Sequence, residues 1–351
     1  MNKILTPFIQ FAINIAKRNK FIQNIFENPF DLEKFPKDGV FVDSNGFEHQ
    51  LLSGLRSKIK PGWERMLKNQ SVDLSDEFIQ ITKTNGSINA QKLIELLNIY
   101  NKSIFNTTVL EIGCHSGAAT FALAKHKTTI TGSEFSGYKI ESTNQTKSLT
   151  SKLIEVNNDL VTLRSKLQNK YYESEKVNFV DDDICNSKLE QNHFDIICSW
   201  DVLEHLHDPQ GAFNSIFELL KEDGITIHEY NSFFSLNGGH SLCTFDFLWG
   251  HTRLSASDTK RYFDEIRPIE KEKANSFYTN GLNRMTLADL KNSLDEAGFE
   301  TLAIVPFSKE QHLRMIDHDV LSQTINNYPT VTITDLCTPK VYVIARKPKK
   351  N

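Results

Sequence analysis

The sequence contains no CxxC pair, and its five cysteines (Cys114, Cys185, Cys198, Cys243 and Cys337) are odd in number and widely scattered. That argues against a disulfide framework and a zinc ribbon, fits a reducing compartment, and predicts a cytoplasmic protein. A surplus of positive charge is also missing: 44 acidic against 40 basic residues leave a net charge of −4. No global basic field exists to hold nucleic acid or an anionic membrane. The N-terminal stretch ILTPFIQFAINIAKRNKFIQNIF, residues 4–26, is too short an apolar run to span a bilayer, and Pro7, Gln10 and Asn14 interrupt it. It has no small-residue cleavage site. It reads as a helix packed on its own protein, or as an amphipathic helix lying on a membrane surface, but not as a stable insertion. No internal repeat is present.

What is present suits a globular chain. With 351 residues, 39% hydrophobic and 24% charged, the chain can bury a sizeable core as one large domain with additions, or as two. Residues 1–85 read as a mainly helical addition with one hairpin, VFVDSNGFEHQLL, turning at Asn45-Gly46. From residue 86 to 230 helices alternate with the strands TTVLEIG, TTITGSE, VNFVDDD, FDIICSW and GITIHEY. Alternation breaks over 231–284, an insertion after the fifth of these strands. It resumes over 285–351 with the helix TLADLKNSLDEAGF and the strands TLAIVPF and KVYVIAR. The expected architecture is a doubly wound α/β fold on a mostly parallel seven-stranded sheet, with an N-terminal helical addition and an inserted cap. Within one helix, Leu149, Leu153, Val156, Leu160, Leu163 and Leu167 form a heptad seam. It packs on its own domain or on the same helix, 149–167, of a second copy in a homodimer.

The segment VLEIGCHSGAATFALA places a glycine turn between a strand and a helix. Such a turn lets a ligand approach the backbone closely. The spacing is neither GxGxxG nor GxxxxGK[ST], which disfavours a nicotinamide oxidoreductase and a nucleotide triphosphatase. Glu111, just before the turn, would repel a pyrophosphate. Glu134 ends the second strand, where a carboxylate can accept both ribose hydroxyls, and VDDDICN ends the third. Acids at three successive strand ends, with no Lys or Arg among them, suit a cationic sulfonium nucleoside.

The ordered set VLEIGCHSG, ITGSE, VNFVDDDI, FDIICSWDVLEHLHDP and LLKEDGITIHEY resembles a class I S-adenosylmethionine-dependent methyltransferase of the small-molecule subgroup. The resemblance covers about residues 108–230, and the helix and strands at 286–306 and 340–346 fit the same fold. It implies S-adenosyl-L-methionine as cofactor, with Glu111, Gly113, Cys114, His115 and Gly117 under its methionine part. It further implies Glu134 at the ribose, Asp183 with Ile184 at the adenine, and Ser199 and Trp200 along the cofactor. His115 stands where the family usually has a glycine, so a side chain there shapes the methionine end.

The insertion carries LNGGHSLCTFDFLWGHTRLS, rich in aromatic faces and polar donors, the composition of an acceptor pocket or lid. A hydroxyl acceptor must lose a proton, and histidine titrates in the right range. The candidate bases are His240, His205 and His251, with Asp201 and Glu204 as orienting groups, while His228 inside the fifth strand reads as structural. No compact ligand spacing points to a metal. The expected activity is O-methylation of a small molecule, a sugar or glycan precursor first. The alternatives are N-methylation of a small amine, and a non-catalytic module working through the helix 149–167.

Overall fold

In a computed structural model of the protein, residues 31–64, 73–137, 149–172 and 175–350 are described, side chains of 149–157 excepted. The apolar stretch at 4–26 lies outside them. The core is a seven-stranded sheet in the order β5-β4-β3-β6-β7-β9-β8. These strands are β3 (Thr108–Ile112), β4 (Thr129–Glu134), β5 (Val177–Asp181), β6 (Phe194–Trp200), β7 (Leu220–Tyr230), β8 (Glu300–Phe307) and β9 (Lys340–Arg346). β9 runs antiparallel to both neighbours and the other pairings are parallel. The central strands are apolar on both faces: Val109 and Leu110 in β3, and Ile196, Ile197 and Cys198 in β6, are buried. That pattern requires helices on both sides of the sheet.

Helices α2 (Asp76–Ile99), α3 (Ala118–Ala124), α4 (Leu149–Tyr171), α5 (Pro209–Leu219) and α9 (Leu287–Glu296) accompany these strands. Because α2 runs unbroken from its Ser75 cap, the core begins near residue 76 and the expected boundary at 85 falls inside a helix. Gly86 explains how closely α2 packs: a Cβ there would lie 2.4 Å from the Ala118 carbonyl carbon. The heptad seam of α4 is used within the chain at its described end, where Leu160, Leu163 and Leu167 are buried. Leu163 and Leu167 join the core formed with α2 and α3. The homodimer reading of helix 149–167 therefore loses that half of its seam.

The hairpin is present as β1 (Lys37–Val42) and β2 (Glu48–Leu52). Its loop has three residues instead of the expected two: Asp43 N–H bonds the Phe47 carbonyl at 3.0 Å, and Gly46 adopts a φ of 84°. The Asp43 carboxylate stabilises this loop by accepting the Asn45 and Phe47 N–H groups. Beyond the hairpin, residues 31–64 hold only the short α1 (Leu55–Ile59) and 3₁₀ turns, so the expected mainly helical character is not found there.

The cap is larger than the expected 231–284 insertion. It comprises α6 (Gly250–Arg253), α7 (Ala256–Ile266) and α8 (Lys271–Asn280). A further helical segment between β8 and β9 joins it: α10 (Glu310–Met315), α11 (His318–Asn327) and α12 (Ile333–Cys337). One apolar core unites this segment with the hairpin, drawing on Phe41 and Leu55, on Phe245, Trp249 and Tyr262, and on Val320 and Leu336. Polar ties cross the same junctions. Ser44 bonds Asp258 at 2.7 Å, Arg56 pairs with Glu270 at 2.6 Å, and Arg253 bonds Gln323 at 2.7 Å.

Candidate active site

The order β4-β3-β6 puts the topological switch between β3 and β6, and a crevice opens beyond their carboxyl ends. It encloses about 310 Å³. Gly113 forms its floor with a φ of 64°, and a Cβ there would lie 2.5 Å from Val202 Cγ2. The glycine turn is tied down on both sides. Its His115 N–H donates to Glu134 Oε2 at 2.7 Å, and its His115 carbonyl accepts from Arg164 Nε at 2.8 Å and Nη2 at 2.6 Å. Arg164 carries no sequence signal, because α4 brings it back from 49 residues away.

Six of the predicted cofactor residues line the crevice: Gly113, His115, Glu134, Asp183, Ile184 and Trp200. Glu111, Cys114 and Gly117 lie outside that lining. Glu111 is buried and accepts a hydrogen bond from Thr120, and burial pushes its carboxyl up to about 7. Cys114 is buried beside Gly132, and Gly117 starts α3 with a left-handed φ. Ser199 requires correction. Its hydroxyl is buried against His228 Nδ1 at 2.7 Å, while His228 Nε2 meets Thr226 at 2.6 Å. The alternation of side chains along β6 points Ser199 into the sheet's own packing while Trp200 reaches the crevice.

The run Asp181-Asp182-Asp183 divides by role. Asp181 bonds Ser136 N–H and hydroxyl, tying the ends of β4 and β5 together. Asp183 caps the turn Ile184–Asn186 by accepting the Cys185 N–H at 3.0 Å. Asp182, missed in the sequence reading, lines the crevice and holds Lys188 N–H on Oδ1, while its buried Oδ2 has no hydrogen bond among the described residues. A buried acceptor without a donor suits a ligand that brings one. Among the described residues, no Lys or Arg stands in the crevice lining.

At the other end β6 stops at Trp200, Asp201 turns the chain with a φ of 55°, and a 3₁₀ turn spans Leu203–His205. His205 lines the crevice, and its Nδ1 lies 2.7 Å from the Gly281 carbonyl. A carbonyl only accepts, so Nδ1 carries the proton and Nε2 of the neutral ring is the basic nitrogen. Burial holds its pKa below the usual 6.5. His240 stands behind His205, its ring centroid 6.3 Å away, stacked on Phe277 at 3.9 Å. Its Nδ1 accepts the Leu242 N–H, which places the proton on Nε2, and burial pushes its pKa down to about 3. His251 is not part of the site. It is 1% exposed in the cap core, edge-on to Phe233 at 5.2 Å.

Asp201 and Glu204 are bridged by Asn231, whose Nδ2 donates to both, at 2.8 and 3.0 Å. Glu204 is 2% exposed, and burial pushes its pKa up to about 8 from 4.5, with the neighbouring Asp201 adding to the rise. A carboxyl raised in this way binds a proton on folding, so its contribution to stability is lost as pH rises from the unfolded to the folded value. Glu204→Gln is therefore expected to gain on the order of 3 kcal/mol over the wild type between about pH 5 and about pH 8.5, read by urea unfolding. An unchanged difference between the two pH values would show that Glu204 is ionised in the fold.

The sequence reading expected no metal ligands. The structure nevertheless brings Asp183, Cys185 and His207 together, with ligand atoms all within 4.8 Å of one another.

A family model described as Methyltransferase domain matches residues 66–304. The chain belongs to this methyltransferase family. It is an S-adenosylmethionine-dependent enzyme on a Rossmann-like methyltransferase fold. No protein of curated function matches the sequence. Among solved structures, the chain is similar to the [4+2]-cyclase SpnF at 16% identity, over 70% of this chain and 77% of that one, with a TM-score of 0.40. It is similar to an S-adenosylmethionine-dependent methyltransferase from Mesorhizobium loti at 13% identity, over 72% and 96%, with a TM-score of 0.41. It is also similar to magnesium protoporphyrin IX methyltransferase from Synechocystis PCC 6803 at 12% identity, over 81% and 92%, with a TM-score of 0.41. Among the described residues, no helix of this methyltransferase is long and apolar enough to cross a membrane.

Proposed function

We propose that this methyltransferase methylates a hydroxyl oxygen of a small molecule, with His205 as the base. The observation that carries the reading is the His205 ring, on the crevice wall with its Nδ1 proton donated to Gly281. The crevice suits the cofactor's chemistry: Glu134, Asp182, Asp183 and Asp201 line it, and the buried Oδ2 of Asp182 has no hydrogen-bond donor among the described residues. In this reading Glu134 holds the ribose hydroxyls, Asp183 with Asp182 takes the adenine amino group, and the Gly113–His115 backbone carries the methionine part. When bound, S-adenosylmethionine supplies an electrophilic methyl group on a sulfonium. His205 Nε2 takes the acceptor's hydroxyl proton, and the 3₁₀ turn that carries it is held by Asn283, whose Nδ2 donates to the Leu203 and Leu206 carbonyls.

A sugar acceptor drew its support from the aromatic faces of the insertion. Those rings are in the cap core, where Phe233, Phe245 and Trp249 are at most 2% exposed, so the acceptor class is a hydroxyl compound without preference for carbohydrate. The Asp201 carboxylate on the crevice wall favours one second reading, N-methylation of an amine held there as ammonium.

Two measurements test these assignments. Calorimetric titration of S-adenosylhomocysteine is expected to show at least about tenfold weaker binding to Glu134→Ala, roughly 1.4 kcal/mol. Unchanged affinity would remove Glu134 from the ribose. S-adenosylhomocysteine release is then followed with panels of hydroxyl and amine acceptors. Release with hydroxyl compounds, giving methyl ethers by mass spectrometry, is expected, and release with amines alone would replace this reading by the second.

A further inference from the structure

We propose that Arg164 is a positioning residue for the cofactor: it clamps the glycine turn in a backbone conformation that His115 would otherwise leave, and through that turn it holds the Glu134 carboxylate in place. The last step rests on the reading that Glu134 holds the ribose hydroxyls.

The turn runs from Cys114 to Gly117 and is closed by the Gly117 N–H on the Cys114 carbonyl at 2.8 Å. His115 occupies its first central position with a φ of 43°. Positive φ at that position belongs to the primed turns, which Gly, Asn and Asp dominate. Left-handed backbone is disfavoured roughly tenfold in population for a residue with a Cβ, whereas glycine takes either sign of φ about equally. Such a conformation persists only where its surroundings over-determine it. Here side chains from two other elements hold both backbone groups of His115. Its N–H donates to Glu134 Oε2 at 2.7 Å, at the end of β4, and its carbonyl accepts from Arg164 Nε at 2.8 Å and Nη2 at 2.6 Å. That carbonyl belongs to the central peptide of the turn, whose orientation sets the turn type.

The guanidinium is itself fixed. Leu163 and Leu167 anchor α4 beside it, both fully buried. Its plane lies over the Phe179 ring at 4.3 Å. Phe179 in turn fills the space at Gly117 and Gly132, where a Cβ would lie 2.5 and 3.1 Å from the ring. Nη2 also faces Cys114 Sγ at 3.5 Å. A planar fork that places two donors on one oxygen fixes it in direction as well as distance, which a single ammonium does not. Without Arg164, His115 relaxes toward negative φ, its N–H leaves Glu134 Oε2, and the carboxylate loses the donor that orients it. With glycine at 115 the left-handed turn carries no such penalty, and the clamp is largely redundant.

The test is a double-mutant cycle read by calorimetric titration of S-adenosylhomocysteine into the full chain. Arg164→Ala is expected to weaken binding at least about tenfold with histidine at 115, and by no more than about threefold in the His115→Gly background. Arg164→Lys is expected to fall between the wild type and Arg164→Ala. Any effect of His115→Gly on the cofactor by itself cancels in the cycle. A general loss of structure would weaken binding alike in both backgrounds, so equal losses overturn the clamp, as does unchanged affinity of Arg164→Ala with histidine at 115. Should Arg164→Ala not fold, the same comparison with Arg164→Lys decides between these outcomes. Glu134→Ala separates the two readings: unchanged affinity there, beside an intact coupling of Arg164 to His115, removes Glu134 from the ribose and leaves the clamp standing.

Discussion

Replacing His205 by alanine is expected to lower turnover of a hydroxyl acceptor by about 10²–10⁴-fold, the usual contribution of a positioned general base. Loss in kcat with little change in KM is the expected split, because the ring acts on a proton that moves only as the reaction proceeds. The pH profile separates this role from a packing role. The neutral ring is the active form, and burial keeps its pKa below 6.5, so the wild-type rate should fall on the acid side through a pKa beneath that value. The limb should vanish in His205→Ala. His205→Asn, which can still donate to Gly281, should keep the fold and not restore the rate. His240→Ala is expected to cost less, because His240 stands behind His205 and its Nδ1 already accepts the Leu242 N–H. His251→Ala should affect stability and not the pH profile, since that ring lies inside the cap core. A wild-type acid limb that persists in His205→Ala would assign the base to another residue.

The contrast among these three histidines marks the limit of sequence reading for this fold. Strands β3 to β7 were legible because a parallel sheet buried on both faces writes continuous apolar runs, and the crevice follows from their order. Glycines and acids at strand ends carry position as well as type, so Gly113, Glu134 and Asp183 were readable as crevice residues. The insertion had no such register. Phe233, Phe245, Trp249 and His251 have a composition equally suited to a pocket and to a packed cap, and only the tertiary fold shows them inside. The third piece of the cap was missed for a related reason. Residues 308–339 hold three helices of ten residues or fewer, and their capping signals, Asp317 on Val320 and Thr332 with Asp335, are local marks that say nothing of where the helices dock. Contacts between distant segments were invisible altogether, among them Arg164 on the glycine turn and His207 beside Asp183.

The strongest of those distant contacts carries the second large prediction. Glu270→Ala is expected to destabilise the protein by about 3–5 kcal/mol, the cost of stripping one partner from a buried ion cluster. Glu270 Oε1 accepts from Arg56 Nη1 and from Arg267 Nε, each at 2.6 Å, and Oε2 accepts from Arg56 Nη2 at 3.3 Å. All three residues are at most 6% exposed, and Trp63 covers the Arg56 guanidinium at 3.5 Å. One carboxylate therefore balances two guanidinium charges with little water to screen them. Burial alone would raise the Glu270 pKa, yet the hydrogen bonds from Arg267 and Arg56 outweigh it and hold the carboxylate below its ordinary value. Arg56 belongs to the N-terminal piece of the cap, 214 residues from Glu270, so the same substitution unfastens that piece from the insertion. Arg267 also donates to the Thr244 and Leu242 carbonyls, beside the turn that follows His240. Two uncompensated charges would pull water into this junction and loosen the support behind His205. Urea unfolding of Glu270→Ala beside Glu270→Gln reads the size of the effect. The glutamine keeps acceptors for part of the network and should lose less, and a loss below about 1 kcal/mol in the alanine variant would mean that solvent already reaches these guanidinium groups.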